Sequence, residues 1–232
     1  MSEQLLPLAC ISGFMLDETL WDDMDKYLPK QQPLYRYSLA SGDTITAMAD
    51  RIAEQMPDRT ILIGFSLGGY VARAIAARHP QQVAGLVLIA TSLREDTPTQ
   101  RKAKLDTLEV QRHLHFRGIG RAAIIKTLRP DNINNEPLIS KIRAMGEGLG
   151  FDVLQRQSLV DRSTPAGQKI TCPTLIIAAQ RDQMRSAEEQ DELLQHIPQA
   201  ILVTIADSGH MIPLEQPEKL AQTIEQWLKN HV

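Results

Sequence analysis

Short apolar runs recur along the chain at residues 6–11, 34–37, 61–65, 83–90, 174–178 and 200–205. Four of them are nearly continuous in Ile, Leu, Val and Ala, the pattern of strands buried on both faces of a parallel sheet. Polar stretches of helical length lie between most of the runs. Residues 44–56 place Ile45, Met48, Ala49, Ile52 and Met56 at a helical period. Residues 70–79, 188–196 and 217–228 are read as further helices. Alternation of strand and helix predicts a doubly wound α/β architecture.

The alternation stops between Leu93 and Lys169. That stretch contains no convincing strand but at least three helix-like segments, at 99–111, 120–128 and 137–145, with a fourth at 152–160. The run Gly146-x-Gly148-x-Gly150 lacks the strand-turn-helix setting of a phosphate loop and is read as a bend. The chain is therefore expected to form an α/β body from residues 1–92 and 170–232, with a helical cap, 93–169, inserted after the fourth strand.

A length of 232 residues fits one large domain or one carrying such an insertion. With 43% hydrophobic and 23% charged residues the chain can bury a core, which excludes disorder. Its longest apolar run, 83–90, is far short of the ~18 residues of a membrane span. Met1-Ser2-Glu3-Gln4 carries no basic segment, so no secretory leader and a cytoplasmic location are expected. A net charge of −3 argues against nucleic-acid binding. Two cysteines, Cys10 and Cys172, make neither a disulfide framework nor a four-ligand zinc site. Cys10 falls in a strand and Cys172 just before Pro173, where cysteine behaves as a small hydrophobe.

The chemistry begins at Gly64-Phe65-Ser66-Leu67-Gly68, between a predicted strand and a predicted helix. A sharp turn there brings the two flanking glycine positions together and pushes the Ser66 hydroxyl beyond the carboxyl end of the sheet. Serine needs a base within hydrogen-bond reach to act as a nucleophile. His79 and His196 end helices, and His231 adjoins the terminus. His113 and His115 have a metal-like spacing but no supporting carboxylate or cysteine. His210 follows the last strand through Asp207-Ser208-Gly209, at the same end of the sheet as Ser66. The base in turn needs a carboxylate to orient it. Asp182, after the fifth strand, and Asp207, nearer His210 in sequence, both qualify. Asp182 is preferred because serine, acid and histidine then follow one another across three strand ends.

With Gly64-Phe65-Ser66-Leu67-Gly68-Gly69, Gln180-Arg181-Asp182 and Gly209-His210-Met211-Ile212-Pro213-Leu214-Glu215-Gln216-Pro217, the chain resembles the α/β-hydrolase family over most of its length. The resemblance implies the triad Ser66, Asp182 and His210. It also implies six parallel strands, the family's first two being absent, with 34–37 at one edge. Where the family commonly has His-Gly after the first of these strands, this chain has Ser12-Gly13-Phe14. The family's oxyanion donor is a backbone amide just beyond that glycine, so Phe14 N–H and Leu67 N–H are assigned to the oxyanion hole. Phe14, Met15, Leu67 and Met211 are expected to line the substrate pocket.

The implied activity is a serine hydrolase cleaving a small carboxylic ester, thioester or lactone through an acyl-enzyme on Ser66, with no metal or organic cofactor. Relatives with the same triad also include carbon–carbon bond hydrolases, lyases and cofactor-free haloperoxidases, and a non-catalytic binding protein is a further reading. Residues 93–169 hold 14 Lys and Arg against 9 Asp and Glu, while the remainder is acidic. Either exposed helices simply collect cations, or this stretch steers an anionic or carrier-bound ester toward the cleft. No membrane partner is expected, and the protein is read as a monomer or small homo-oligomer.

Overall fold

The computed structural model describes residues 5–163 and 169–232; the last part of the expected insertion, 164–168, lies outside them. Six strands form one sheet: β1 (Leu8–Ile11), β2 (Leu34–Tyr37), β3 (Thr60–Phe65), β4 (Val83–Ile89), β5 (Thr174–Ala179) and β6 (Ile201–Ile205). All neighbours pair parallel, in the order β2-β1-β3-β4-β5-β6. The four central strands are almost entirely buried, whereas β2 and β6 at the edges are partly exposed. This is why the central runs read as continuous Ile, Leu and Val and the edge runs are interrupted by polar residues.

Ten helices accompany the sheet among the described residues: α1 (Asp22–Asp25), α2 (Ile45–Ala53), α3 (Leu67–Arg78), α4 (Pro98–Arg112), α5 (Arg121–Ile125), α6 (Glu136–Leu149), α7 (Phe151–Leu159), α8 (Ala187–His196), α9 (Ile212–Glu215) and α10 (Pro217–His231). Successive strand residues point to opposite faces. Leu8, Cys10, Ile61, Ile63, Val87 and Ile89 meet Met24 of α1 and Leu220, Ile224 and Trp227 of α10 on one face. Ala9, Ile11, Leu62, Leu86 and Leu88 meet Met48 and Ile52 of α2, Val71 and Ile75 of α3 and Leu193 of α8 on the other. Ile124 of α5 and Ile139, Ile142 and Met145 of α6 join the first cluster, so the helices between β4 and β5 share the core of the sheet.

Local sequence sets the helix ends. Thr97 and Gln100 form a reciprocal capping box around Pro98 at the start of α4, and Ser186 and Glu189 do the same for α8. Gly150, at φ +84°, turns the chain between α6 and α7, where the glycine run predicted a bend. One helical segment had no expectation from the sequence, and one helix start is corrected. The segment from Glu18 to Asp25 is helical, first as a 3-10 turn and then α1, although its acidic sequence shows little periodicity. Helix α3 starts at Leu67 rather than Tyr70, because it springs directly from the serine turn and its two glycines lie inside its first turn.

Candidate active site

The chain passes from β1 to β2 on one side and then crosses to β3, so the loops after β1 and β3 diverge at the carboxyl edge of the sheet. Such switch points are where α/β sheets form ligand crevices. Ser66 follows β3, and residues 12–15 follow β1.

Ser66 has φ +52° and ψ −112°, a conformation rare outside glycine, and it caps the amino end of α3. Thr91 Oγ1 donates to its carbonyl at 2.7 Å, and its own N–H donates to Ile89 O at 2.9 Å. The flanking glycines are sterically required. A Cβ at Gly64 would lie 2.6 Å from Gly68 O, and one at Gly68 would collide with the carbonyl oxygens of Ile11 and Ser12.

His210 Nε2 lies 3.0 Å from Ser66 Oγ, and its Nδ1 lies 2.9 Å from Asp182 Oδ2. An ionised carboxylate only accepts, so Nδ1–H donates to Asp182 and the neutral ring's Nε2 is left to accept the serine proton. Asp182 Oδ1 meanwhile accepts from the N–H groups of Met184 at 2.7 Å and Arg185 at 3.1 Å. The rival acid separates clearly. The Asp182 side chain is 2% exposed, whereas Asp207 is 52% exposed and directed at Arg181.

Leu67 is the first residue of α3, where helical geometry leaves an N–H without an intrahelical acceptor. Across the crevice, Met15 has φ +54°, and its N–H donates to Gln157 Oε1 of α7 at 2.7 Å. Gln157 is fully buried, and its Nε2 donates to Leu39 O at 2.9 Å. One amide side chain thus ties α7 to the loops after β1 and β2. Ser12 is also fully buried: its hydroxyl donates to Asp17 O at 2.8 Å and accepts from Trp21 Nε1 at 3.1 Å. The change from the common histidine therefore leaves that position bonded on both sides.

Phe14, Met15, Leu67 and Met211 line one cavity of about 260 Å³ together with Ser66 and His210. Ile119, Ile124 and Ile142 from between β4 and β5 complete its apolar wall. The histidine loop is anchored by Glu215, whose Oε2 accepts from Gly209 N–H at 2.7 Å. Its Oε1 accepts from Arg129 N–H at 2.9 Å and Asn132 Nδ2 at 2.8 Å.

Sequence reading missed Gln157, Thr91 and the cavity's cations, Lys104, Arg162 and Arg185. Thr91 had a weak signal in its place just after β4; Gln157 had none, since its partners lie 142 and 118 positions away. The remaining histidines stand elsewhere: His79 pairs with Asp50 at 3.1 Å and His113 with Glu109 at 3.4 Å. Burial pushes both thiols, Cys10 and Cys172, above the ordinary range, which suits packing rather than nucleophilic work. Among the described residues no group of three His, Cys, Asp or Glu is placed to hold a metal ion, and no helix is long and apolar enough to cross a membrane.

Comparison with known proteins agrees with this architecture. The chain is 25% identical to the pimeloyl-(acyl-carrier protein) methyl ester esterase of Nitrosomonas europaea, with 94% of each chain covered. Against the enzyme of the same name from Aromatoleum aromaticum it is 37% identical, over 37% of each chain. A thermophilic esterase from Thermogutta terrifontis, solved with malate bound, superposes with a TM-score of 0.82 at 28% identity, covering 98% of this chain and 91% of that one. Residues 29–217 match the alpha/beta hydrolase fold, and the chain belongs to that family.

Proposed function

We propose that the protein is a carboxylic ester hydrolase that works through an acyl-enzyme on Ser66. The observation that carries this reading is the row Ser66–His210–Asp182, bonded at 3.0 and 2.9 Å, opening into an apolar cavity. Ser66 Oγ attacks the ester carbonyl as His210 Nε2 takes its proton, and Asp182 holds the ring and stabilises the imidazolium. The N–H groups of Phe14 and Leu67 receive the oxyanion. His210 returns the proton to the departing alcohol, then activates the water that releases the acid.

At about 260 Å³ the cavity falls just below the ~300–1,000 Å³ of typical ligand sites, which favours a small substrate. In this reading residues 93–169 act as its cap. Their surplus of basic residues, and the acyl-carrier-protein esters in the names of two relatives, support an anionic or carrier-bound acyl group. The reading is tested by hydrolysis of p-nitrophenyl esters of two to twelve acyl carbons, with Ser66→Ala as the control. Turnover that depends on Ser66 supports it; no turnover on any ester, or turnover that survives Ser66→Ala, overturns it.

A further inference from the structure

Three cations line the otherwise apolar cavity: Lys104 from α4, Arg162 from beyond α7 and Arg185 from the loop before α8. They are largely buried, with side chains 24%, 12% and 17% exposed. Two carboxylates face them. Asp96 is bonded to Lys104 and lies 3.5 Å from Arg162 Nη1, and Glu189 Oε1 accepts from Arg185 Nη1 at 2.8 Å. The second oxygen of Glu189 is committed to Ser186 N–H at 2.8 Å. Within ion-pair distance three cations thus meet two carboxylates; the exposed Glu95 shares a neighbouring pocket with Arg162 and Arg185 but forms no ion pair with them among the described residues.

Two further features mark the deficit. Arg162 Nε and Arg185 Nε are buried without an acceptor among the described residues, although buried donors are normally satisfied. Burial, and next the charge of Arg162, hold the Lys104 amine below its ordinary pKa against the opposing pull of Asp96. A network that only tied α4 to α8 would have matched its charges, since an uncompensated buried charge is costly. Here the surplus sits on residues that share a cavity with Ser66.

Resting on the hydrolase reading above, we infer that this cluster recognises a carboxylate carried by the substrate, so that the preferred ester is itself an acid. A carboxylate offers the fork of acceptors that a guanidinium matches. It would give the three cations their missing counter-charge while the apolar wall takes the intervening chain. The anion in question enters the cavity, unlike a carrier protein held at the exposed surface.

The test is calorimetric binding to Ser66→Ala, comparing methyl hydrogen dicarboxylates of four to ten carbons with the dimethyl esters of the same acids. A parallel arm uses acetate esters of hydroxy acids, which carry the carboxylate on the alcohol side, against their methyl esters. The charged member of at least one series should bind at least tenfold tighter. That preference should shrink tenfold or more in Arg162→Gln and Lys104→Met, and stay in place in Arg112→Gln, an exposed cation of α4. Equal binding of charged and neutral members in both series overturns the proposal, and needs no cluster variant to fold. Because binding is read without turnover, a charge preference in a protein that hydrolyses no ester would sink the hydrolase reading and leave the site standing.

Discussion

The two sides of the crevice are held in shape by different means. The turn carrying Ser66 is set largely by its own residues and the strand end beside it: a Cβ at Gly64 would strike Gly68 O, one at Gly68 would strike the carbonyls of Ile11 and Ser12, and the helix that follows fixes Leu67. The loop carrying Phe14 and Met15 is fixed locally at Ser12 but only remotely at Met15. Its strained Met15 is held by Gln157, 142 positions away, and its Ser12 by Asp17 and Trp21. Backbone strain of this kind persists only where surroundings over-determine it. On the serine side those surroundings are the turn itself and the adjoining ends of β1 and β4, and on the opposite side they include α7, from much later in the chain.

The contrast can be broken from either side. Ser66→Ala has the largest expected effect, with kcat lower by up to ~10⁶-fold by analogy with other serine triads. Gly68→Ala attacks the turn itself. Its Cβ would strike two carbonyls at the end of β1, costing about 1–3 kcal/mol of stability in a thermal melt. The displaced serine should cost a further ~10²-fold in kcat. Gln157→Leu attacks the remote tether, leaving Met15 N–H and Leu39 O without their partner. It should lower kcat by ~10–100-fold, less than the ~10²–10³ of losing an oxyanion donor outright. Gln157→Glu keeps an acceptor for Met15 and should recover part of that loss; if both variants match wild type in kcat, the loop does not depend on α7. Thr91→Val removes only the hydrogen bond to Ser66 O, at about 0.5–1.5 kcal/mol, and should change kcat by no more than a few-fold.

The same contrast explains what could be read from the sequence. Each of the six strands lies within two residues of its apolar run, because burial on both faces leaves the four central strands a nearly uninterrupted hydrophobic signal and even the edge strands keep a short apolar run. Ser66, Asp182 and His210 each follow a strand, so strand order alone places them at one edge. Choosing Asp182 over Asp207 took chain order, and the structure supplies the physical difference: one is buried against the imidazole, the other exposed. Gln157 and the cluster of Lys104, Arg162 and Arg185 were illegible. Their partners are brought close only by the packing of helices between β4 and β5, which periodicity does not specify. Helix α1 was hidden by a short run of acidic residues whose burial is limited to Met24.

Glu215 carries a consequence for anyone exchanging parts between members of this family. It grips the loop of His210 with one oxygen and the chain at Arg129 and Asn132 with the other. A replacement for the stretch between β4 and β5 must therefore present an amide donor at the same point, or a part-buried carboxylate is left short of partners beneath His210. Chimeras joined at residues 92 and 170 should divide accordingly. Those retaining the stretch from Thr127 to Asn132 keep His210 seated, and those lacking it have to rebuild that seat before any new pocket can be used.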